Sequence, residues 1–267
     1  MKNGTGSRKF APHFPFPQPS PKRARMGHMP GLGTIVNMAA IVLGGILGRL
    51  CGKLLSKKSQ EGIMGTCGVM TFFLGVGGAL AQMLKIDSGV LSTQGSMMMI
   101  FSLLIGTVVG ELLDIEGKLV SFGVWLRNRT GNANNSGFVT AFVTASLTVC
   151  IGAMAIIGSI EDGIYGNHTI LFTKAILDFI IIFAMAAALG SGAIFSAIPV
   201  GILQGTVTIL ASIAAPLMTD AAMANLSYVG NILIACVGVN LLFPNKISVA
   251  NMLPSLIVAI VWAFLPF

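Results

Sequence analysis

The sequence has very few charged residues. Only 9% of its 267 residues are Asp, Glu, Lys or Arg, whereas soluble domains carry about 25%. With 54% hydrophobic residues, a soluble fold could not cover its surface with polar groups. The composition therefore argues against a soluble enzyme and predicts an all-α fold, a polytopic transmembrane helix bundle.

Residues for catalysis and cofactor binding are also scarce. Of three histidines, His13 and His28 fall before the apolar region and His168 falls in a loop, so the membrane region cannot form a histidine metal cluster or triad. The one Gly-Lys pair, Gly117-Lys118, lacks the glycine spacing of a nucleotide-binding loop. The four cysteines show no C-x-x-C spacing. We expect no enzyme activity, no catalytic or metal-binding residues and no cofactor. An intramembrane enzyme acting on lipid would have only carboxylates, Ser, Thr and Lys to use.

The positive charge is concentrated at the start of the chain. The formal net charge is +7, yet residues 1–28 contain six of the sixteen basic residues and none of the nine acidic ones. Five prolines between residues 12 and 21 exclude a helix there and predict a disordered basic tail. The tail could bind anionic lipid or nucleic acid, or could be a targeting segment. We favour an upstream start, with translation beginning at Met26 or Met29, and expect no nucleic-acid partner.

Residues 29–267 are predicted to be the transmembrane domain, with membrane lipid as its surroundings. Eight apolar runs approach or exceed the ~20 residues that cross a bilayer, which predicts about seven to eight membrane helices. The last two are short, and are predicted as either a tilted pair or a re-entrant hairpin. The runs are 32–50, 62–84, 94–113, 138–159, 169–190, 193–217, 227–243 and 249–265.

Loop charges predict the orientation of these helices. Lysine and arginine favour cytoplasmic loops, and the odd-numbered connections contain eight of them, against only Lys85 in the even-numbered ones. Both termini are then predicted to lie outside. A basic tail would have to be translocated, which is our reason for favouring the later start. The eight residues are Arg49, Lys53, Lys57, Lys58, Lys118, Arg127, Arg129 and Lys246.

Two charges fall inside the fifth apolar run. Lys174 and Asp178 are four residues apart and so share one helix face. Asp178 is predicted about 13 Å inside the outer boundary, near the bilayer centre. A charge there costs about 2.5–3.5 kcal/mol on insertion and commonly marks a transport pathway. The alternative is a structural ion pair.

The sixth run combines helix-weakening and polar residues. Pro199, Gly201 and Gly205 predict a broken helix, and Gln204 and Thr206 bring polar atoms to mid-membrane depth. Secondary transporters build substrate sites from such helices, although a kinked packing helix is the alternative.

Asn37 and Asn240 are further amides at membrane depth. Singly, such an amide is more often a contact between helices than a ligand group. With Lys174, Asp178, Gln204 and Thr206, they would nevertheless supply enough polar groups to line a small cavity.

Three G-x-x-x-G pairs predict close helix contacts, because glycines four residues apart form a flat strip. They also make a homo-oligomer plausible. The pairs are Gly44/Gly48, Gly106/Gly110 and Gly201/Gly205. The stretch G-S-I-E-D-G at 158–163 is predicted as an outer loop that is either a solvated turn or a cation-attracting mouth.

Several stretches resemble one bacterial family of multi-pass membrane proteins, catalogued as domain of unknown function 554. They include G-E-L-L-D-I-E-G-K-L (110–119), the long run ending in E-D-G (137–163), L-F-T-K-A-I-L-D (171–178), P-V-G-I-L-Q-G (199–205) and N-M-L-P-S-L (251–256). The resemblance begins near Gly31 and covers the rest of the chain. It implies a protein of the bacterial cytoplasmic membrane and brings no established activity.

The leading hypothesis is a secondary transporter or channel-like carrier of a small solute or ion. Its site would lie between the fifth and sixth helices, with Asp178 as the ion-coupling carboxylate and Gln204 and the threonines as solute contacts. The rival hypothesis is a structural or regulatory membrane protein whose charges only fix helix packing.

Overall fold

The chain folds into a bundle of α-helices. The computed structural model describes residues 29–87, 90–132, 137–151, 153–214, 219–244 and 246–265, so the predicted tail at 1–28 lies outside the described residues. The helices are α1 (Leu32–Leu54), α2 (Lys57–Met83), α3 (Ser96–Leu113), α4 (Ile115–Arg129), α5 (Phe138–Cys150), α6 (Ala153–Tyr165), α7 (Thr169–Leu189), α8 (Ala197–Ile209), α9 (Ala211–Ala214), α10 (Asp220–Leu242) and α11 (Pro254–Trp262).

Six helical segments are long and apolar enough to cross a membrane: α1, α2, α3, α7, α10, and α8 together with the 3₁₀ turn Ser191–Ser196 before it. The pair α5 and α6 is bent by 62° between its two halves and makes a seventh segment if the two helices are one span. Val249–Trp262, a 3₁₀ turn followed by α11, is apolar but shorter. The all-α bundle is confirmed for the described residues.

The prediction of one continuous helix at 138–159 is wrong. Helix α5 ends at Cys150 and α6 begins at Ala153. The predicted kink at Pro199 is also absent, because Pro199 lies in the first turn of α8. Backbone N–H groups in a first turn have no partner within the helix, so a proline there breaks no hydrogen bond. The break therefore falls between α5 and α6, in the fourth predicted run, and not at Pro199 in the sixth.

Two connections contain structure that the sequence pattern did not predict. Between α2 and α3, the strands β1 (Leu84–Asp87) and β2 (Val90–Thr93) pair antiparallel. Between α3 and α5, the charged helix α4 begins after Asp114, whose carboxylate accepts the Gly117 N–H at 3.1 Å. Helix α4 is not among the candidate spans, and its charges place it at the Lys/Arg-rich end of the bundle.

Helices α1 and α7 run parallel in close contact. A Cβ atom on Gly44 would lie 2.6 Å from the Phe179 carbonyl oxygen, and one on Gly48 would collide with the Phe183 carbonyl. Gly52, one turn further, faces Ala187 in the same way. The glycine strip thus lets two backbones touch, which residues with side chains would prevent.

The remaining glycine pairs differ from one another. Gly106 and Gly110 of α3 press against Ser255 and Asn251, so α3 and the C-terminal segment pack antiparallel. Since this strip and the Gly44/Gly48 strip are covered within the chain, neither is free to bind a second copy.

In the pair Gly201/Gly205, a Cβ on Gly201 would lie 2.5 Å from Met38 Sδ. A Cβ on Gly205 would meet no atom within 4 Å. Gly205 therefore marks no close helix contact, contrary to the prediction from spacing.

We expect Gly48→Ala to destabilise the folded protein by about 1–3 kcal/mol, because the added methyl group must push α1 away from the Phe183 carbonyl. Gly205→Ala is the matched control, and it should leave stability unchanged or raise it by up to about 1 kcal/mol, because alanine is the better helix former. Unfolding of the purified protein by SDS in mixed micelles measures both. Equal effects of the two substitutions would contradict the close contact.

Candidate functional site

A buried ion pair lies inside the bundle on α7. The Lys174 Nζ atom is 2.8 Å from each carboxylate oxygen of Asp178. Asp178 is 2% exposed and Lys174 is 7% exposed. The pairing follows from the i, i+4 spacing, and each charge offsets part of the cost of burying the other.

Lys174 also binds the end of the broken helix. Its Nζ donates to the carbonyl oxygen of Val149 at 2.9 Å. Because α5 ends at Cys150, this carbonyl belongs to the last turn, where no intrahelical N–H is available. The partial negative charge at a helix C-terminus favours a cation. Lys174 therefore caps α5 at the point where the span breaks.

Asn37 of α1 completes this cluster. Its Nδ2 donates to Asp178 Oδ2 at 3.0 Å, and the residue is fully buried. Three separate segments, α1, the end of α5 and α7, are thus held by one group of residues whose charges cancel. We name Asn37, Val149, Lys174 and Asp178 the charged cluster.

A second set of buried polar groups has no hydrogen-bond partner within the described residues. Both amide atoms of Gln204 are unpartnered, as are the hydroxyls of Thr34 and Thr208 and the Oδ1 atom of Asn37. Gln204 is 0% exposed. These residues belong to α1 and α8, which pack against each other, and we name them the α1/α8 seam. Unpaired groups of this kind retain the capacity to bind a ligand or water.

The register of α1 against α8 follows from two contacts. A Cβ on Gly45 would lie 2.6 Å from Ile194, and one on Gly201 would lie 2.5 Å from Met38. The two segments are therefore antiparallel, and Gln204 lies level with the part of α1 that carries Thr34. Asn37 belongs to both the seam and the charged cluster.

Two predicted pathway residues lie elsewhere. Thr206 lies on a different face of α8 from the seam, because at 100° per residue it points away from the face shared by Gln204 and Thr208. Asn240 lies near the end of α10, where its Nδ2 donates to the Ile247 carbonyl at 2.6 Å and its Oδ1 accepts the Ile247 N–H at 3.0 Å. Asn240 thus holds a loop and does not join Asp178.

The segment at 158–163, predicted as an outer loop, is the last part of α6. Asp162 is fully buried there and accepts the Gly33 N–H at 3.2 Å through Oδ2. Its Oδ1 lies 2.7 Å from His168 Nδ1. Asp162 therefore ties together the start of α1, the end of α6 and the start of α7. We name this contact the Asp162 clasp, at the end of the bundle opposite the Lys/Arg-rich loops.

A cavity of about 240 Å³ lies at the Lys/Arg-rich end. Its walls come from α5, α10, α4 and the loop before α11, and they include Glu116, Thr140, Thr144 and Asn240. Leu147, two residues before Val149, also lines it. The cavity therefore approaches the charged cluster from one side of the membrane region.

Two features of this site had no clear signal in the sequence. The Val149 carbonyl is a backbone group, and only the glycine at position 152 hints that the helix ends nearby. Thr34 is a single hydroxyl in an apolar helix, where most threonines only bond their own backbone.

Comparison with known proteins gives one family. The family described as "Protein of unknown function (DUF554)" matches residues 32–264. The "Uncharacterized protein YqgA" of Escherichia coli (strain K12) is 28% identical over 233 residues, 85% of this chain and 94% of that protein. The "Uncharacterized membrane protein YdfK" of Bacillus subtilis (strain 168) is 28% identical over 229 residues, 85% of this chain and 93% of that protein. No solved structure matches the chain significantly.

We expect Lys174→Met to destabilise the protein by about 3–5 kcal/mol, because it leaves the Asp178 carboxylate buried without its cation. The double variant Lys174→Met/Asp178→Leu should lose less, since no uncompensated charge remains. SDS unfolding of both variants and of the single variant Asp178→Leu measures this coupling. Additive losses would show that the two side chains act independently.

Proposed function

The chain belongs to the DUF554 family of membrane proteins of unknown function, and from that premise we propose that it is a secondary carrier of a small solute or ion. Two relatives are bacterial and one is named a membrane protein, which supports a place in the bacterial cytoplasmic membrane. The proposal assigns no catalytic step to the chain and requires no cofactor.

The observation that carries the proposal is the capped break between α5 and α6. Carriers commonly place their sites where a membrane helix is interrupted, because freed backbone groups are tolerated only where protein or a cavity satisfies them. Here the freed Val149 carbonyl is bound by Lys174, which Asp178 in turn holds. A change in the charge or position of the Asp178 carboxylate would therefore alter the contact between Lys174 and the Val149 carbonyl at the break.

The α1/α8 seam supplies groups that could bind the transported species. Gln204 offers a donor group and an acceptor group, and the hydroxyls of Thr34 and Thr208 offer both. All are at least nine-tenths buried and unpartnered in the described part of the chain. Leaving such groups unpaired costs about 1–3 kcal/mol each, which favours an occupant at the seam in the working protein.

The difference between the two ends of the bundle supports a state in which the central site opens toward the cytoplasm. The Asp162 clasp ties three helices together at the outer end, while the cavity lies at the end with cytoplasmic charge. Alternating access requires such asymmetry around a central site. Release of the Asp162 clasp and closure of the cavity would give the state that opens toward the outside.

The structural alternative also has an observation in its favour. The three short contacts of the Lys174 ammonium match its three N–H donors. A cluster satisfied in this way could serve only to fix helix packing. The two functions differ in the expected effect of neutralising Asp178.

We expect Asp178→Asn to reduce flux per folded molecule at least tenfold, because the amide cannot hold Lys174 by charge. The ammonium left buried without its carboxylate also lowers stability, so flux is normalised to the folded protein in the liposomes. The full chain is reconstituted in liposomes under Na⁺ and pH gradients. Flux is followed with ²²Na⁺, a pH-sensitive dye and a panel of labelled solutes.

Asp220→Asn is the matched control, since Asp220 is an exposed carboxylate at the start of α10 and its loss should leave flux unchanged. A wild-type protein that moves nothing under either gradient contradicts the carrier. Flux per folded molecule that is unchanged in Asp178→Asn favours the structural alternative.

A further inference from the structure

The cavity at the Lys/Arg-rich end contains a carboxylate in mostly apolar walls. Glu116 is the one charged residue among the described residues that line it. The other polar residues in the walls are Thr140, Thr144 and Asn240, and the Asn240 amide is already bonded to the loop. The rest of the lining is aliphatic side chains, one methionine and one proline.

None of the described residues serves as a counter-ion for the Glu116 carboxylate. Its Oε2 atom is buried without a hydrogen-bond partner, and Glu116 forms no ion pair with any residue that the structure describes. Its backbone N–H is fixed by Asn251 Oδ1 at 2.7 Å, so the start of α4 is held in place. Burial raises the pKa of Glu116, and the nearby acids Glu111 and Asp114 raise it further, against a hydrogen bond from Ser248 that lowers it.

A carboxylate without a cation in its surroundings is complementary to a cation from outside the chain. A carboxylate and two threonine hydroxyls are all acceptors, and three acceptors fit the three N–H donors of a primary ammonium. The lining has no aromatic residue among those described, so the cation–π contacts that recognise quaternary ammonium groups are absent.

We propose that this cavity binds a primary alkylammonium ion, with the ammonium on Glu116 and the alkyl chain against the aliphatic walls. The volume of about 240 Å³ is well above the about 10–15 Å³ that one water molecule needs in a cavity. This space suits a short alkyl chain. The cavity lining does not include Lys174 or Asp178, and binding of the ammonium ion can be measured whether or not the chain is a carrier.

Binding of labelled n-butylammonium to the purified full-length chain in detergent micelles tests the site. Affinity should rise about fourfold per added methylene from methyl to butyl, as apolar burial predicts, and should fall once the chain outgrows the cavity. Uncharged n-butanol, which has the same number of non-hydrogen atoms, should compete at least tenfold more weakly.

Glu116→Gln should lower affinity for n-butylammonium at least tenfold. Glu61→Gln is the matched control, because it removes the same charge from an exposed position near the same end of the bundle. Val237→Phe, which fills the cavity from α10 and keeps the carboxylate, should also abolish binding, and it tests the site if the Glu116 variant does not fold.

Three results would overturn the proposal. Equal competition by n-butanol would show that the charge is not recognised. Unchanged binding in both Glu116→Gln and Val237→Phe would place the amine elsewhere. Affinity that keeps rising to dodecylammonium would indicate partition into the micelle.

Discussion

The contact between Lys174 and the Val149 carbonyl is the constraint on which the middle of the bundle depends. A membrane helix can stop inside the membrane only if its last carbonyls find donors. Lys174 supplies a charged donor at that point, and Asp178 offsets the cost of burying it. Asn37 then extends the group to α1. The break, the ion pair and the packing of α1 therefore form one arrangement.

The glycine strip on α1 makes that arrangement possible. Asn37 reaches Asp178 only because α1 and α7 run side by side with their backbones in contact at Gly44 and Gly48. A larger residue at either position would move α1 outward and lengthen the hydrogen bond. Packing of small residues and placement of polar groups are thus two aspects of the same contact between helices.

Local features of the site could be predicted from the sequence, whereas long-range ones could not. The pairing of Lys174 with Asp178 follows from spacing within one helix. The partner of Asn37 is 141 residues away, and no local pattern identifies it. The sequence does not distinguish Thr206 from Thr208, because α8 is largely apolar and no periodicity shows which face is buried. Gly205 has the same spacing as Gly48, and only the neighbouring helix distinguishes them.

Asn37 connects the two halves of the proposed mechanism. Its Nδ2 holds Asp178, while its Oδ1 is buried and unpartnered beside the seam. An occupant that donates to this oxygen would hold the amide in the orientation that places Nδ2 on Asp178, because the two atoms can be bound at once and a hydrogen bond at Oδ1 polarises the N–H donor. Since Asp178 also holds Lys174, the cap on α5 would be strengthened in turn. Occupancy of the seam would then bias the break between α5 and α6, which is the coupling that a carrier requires.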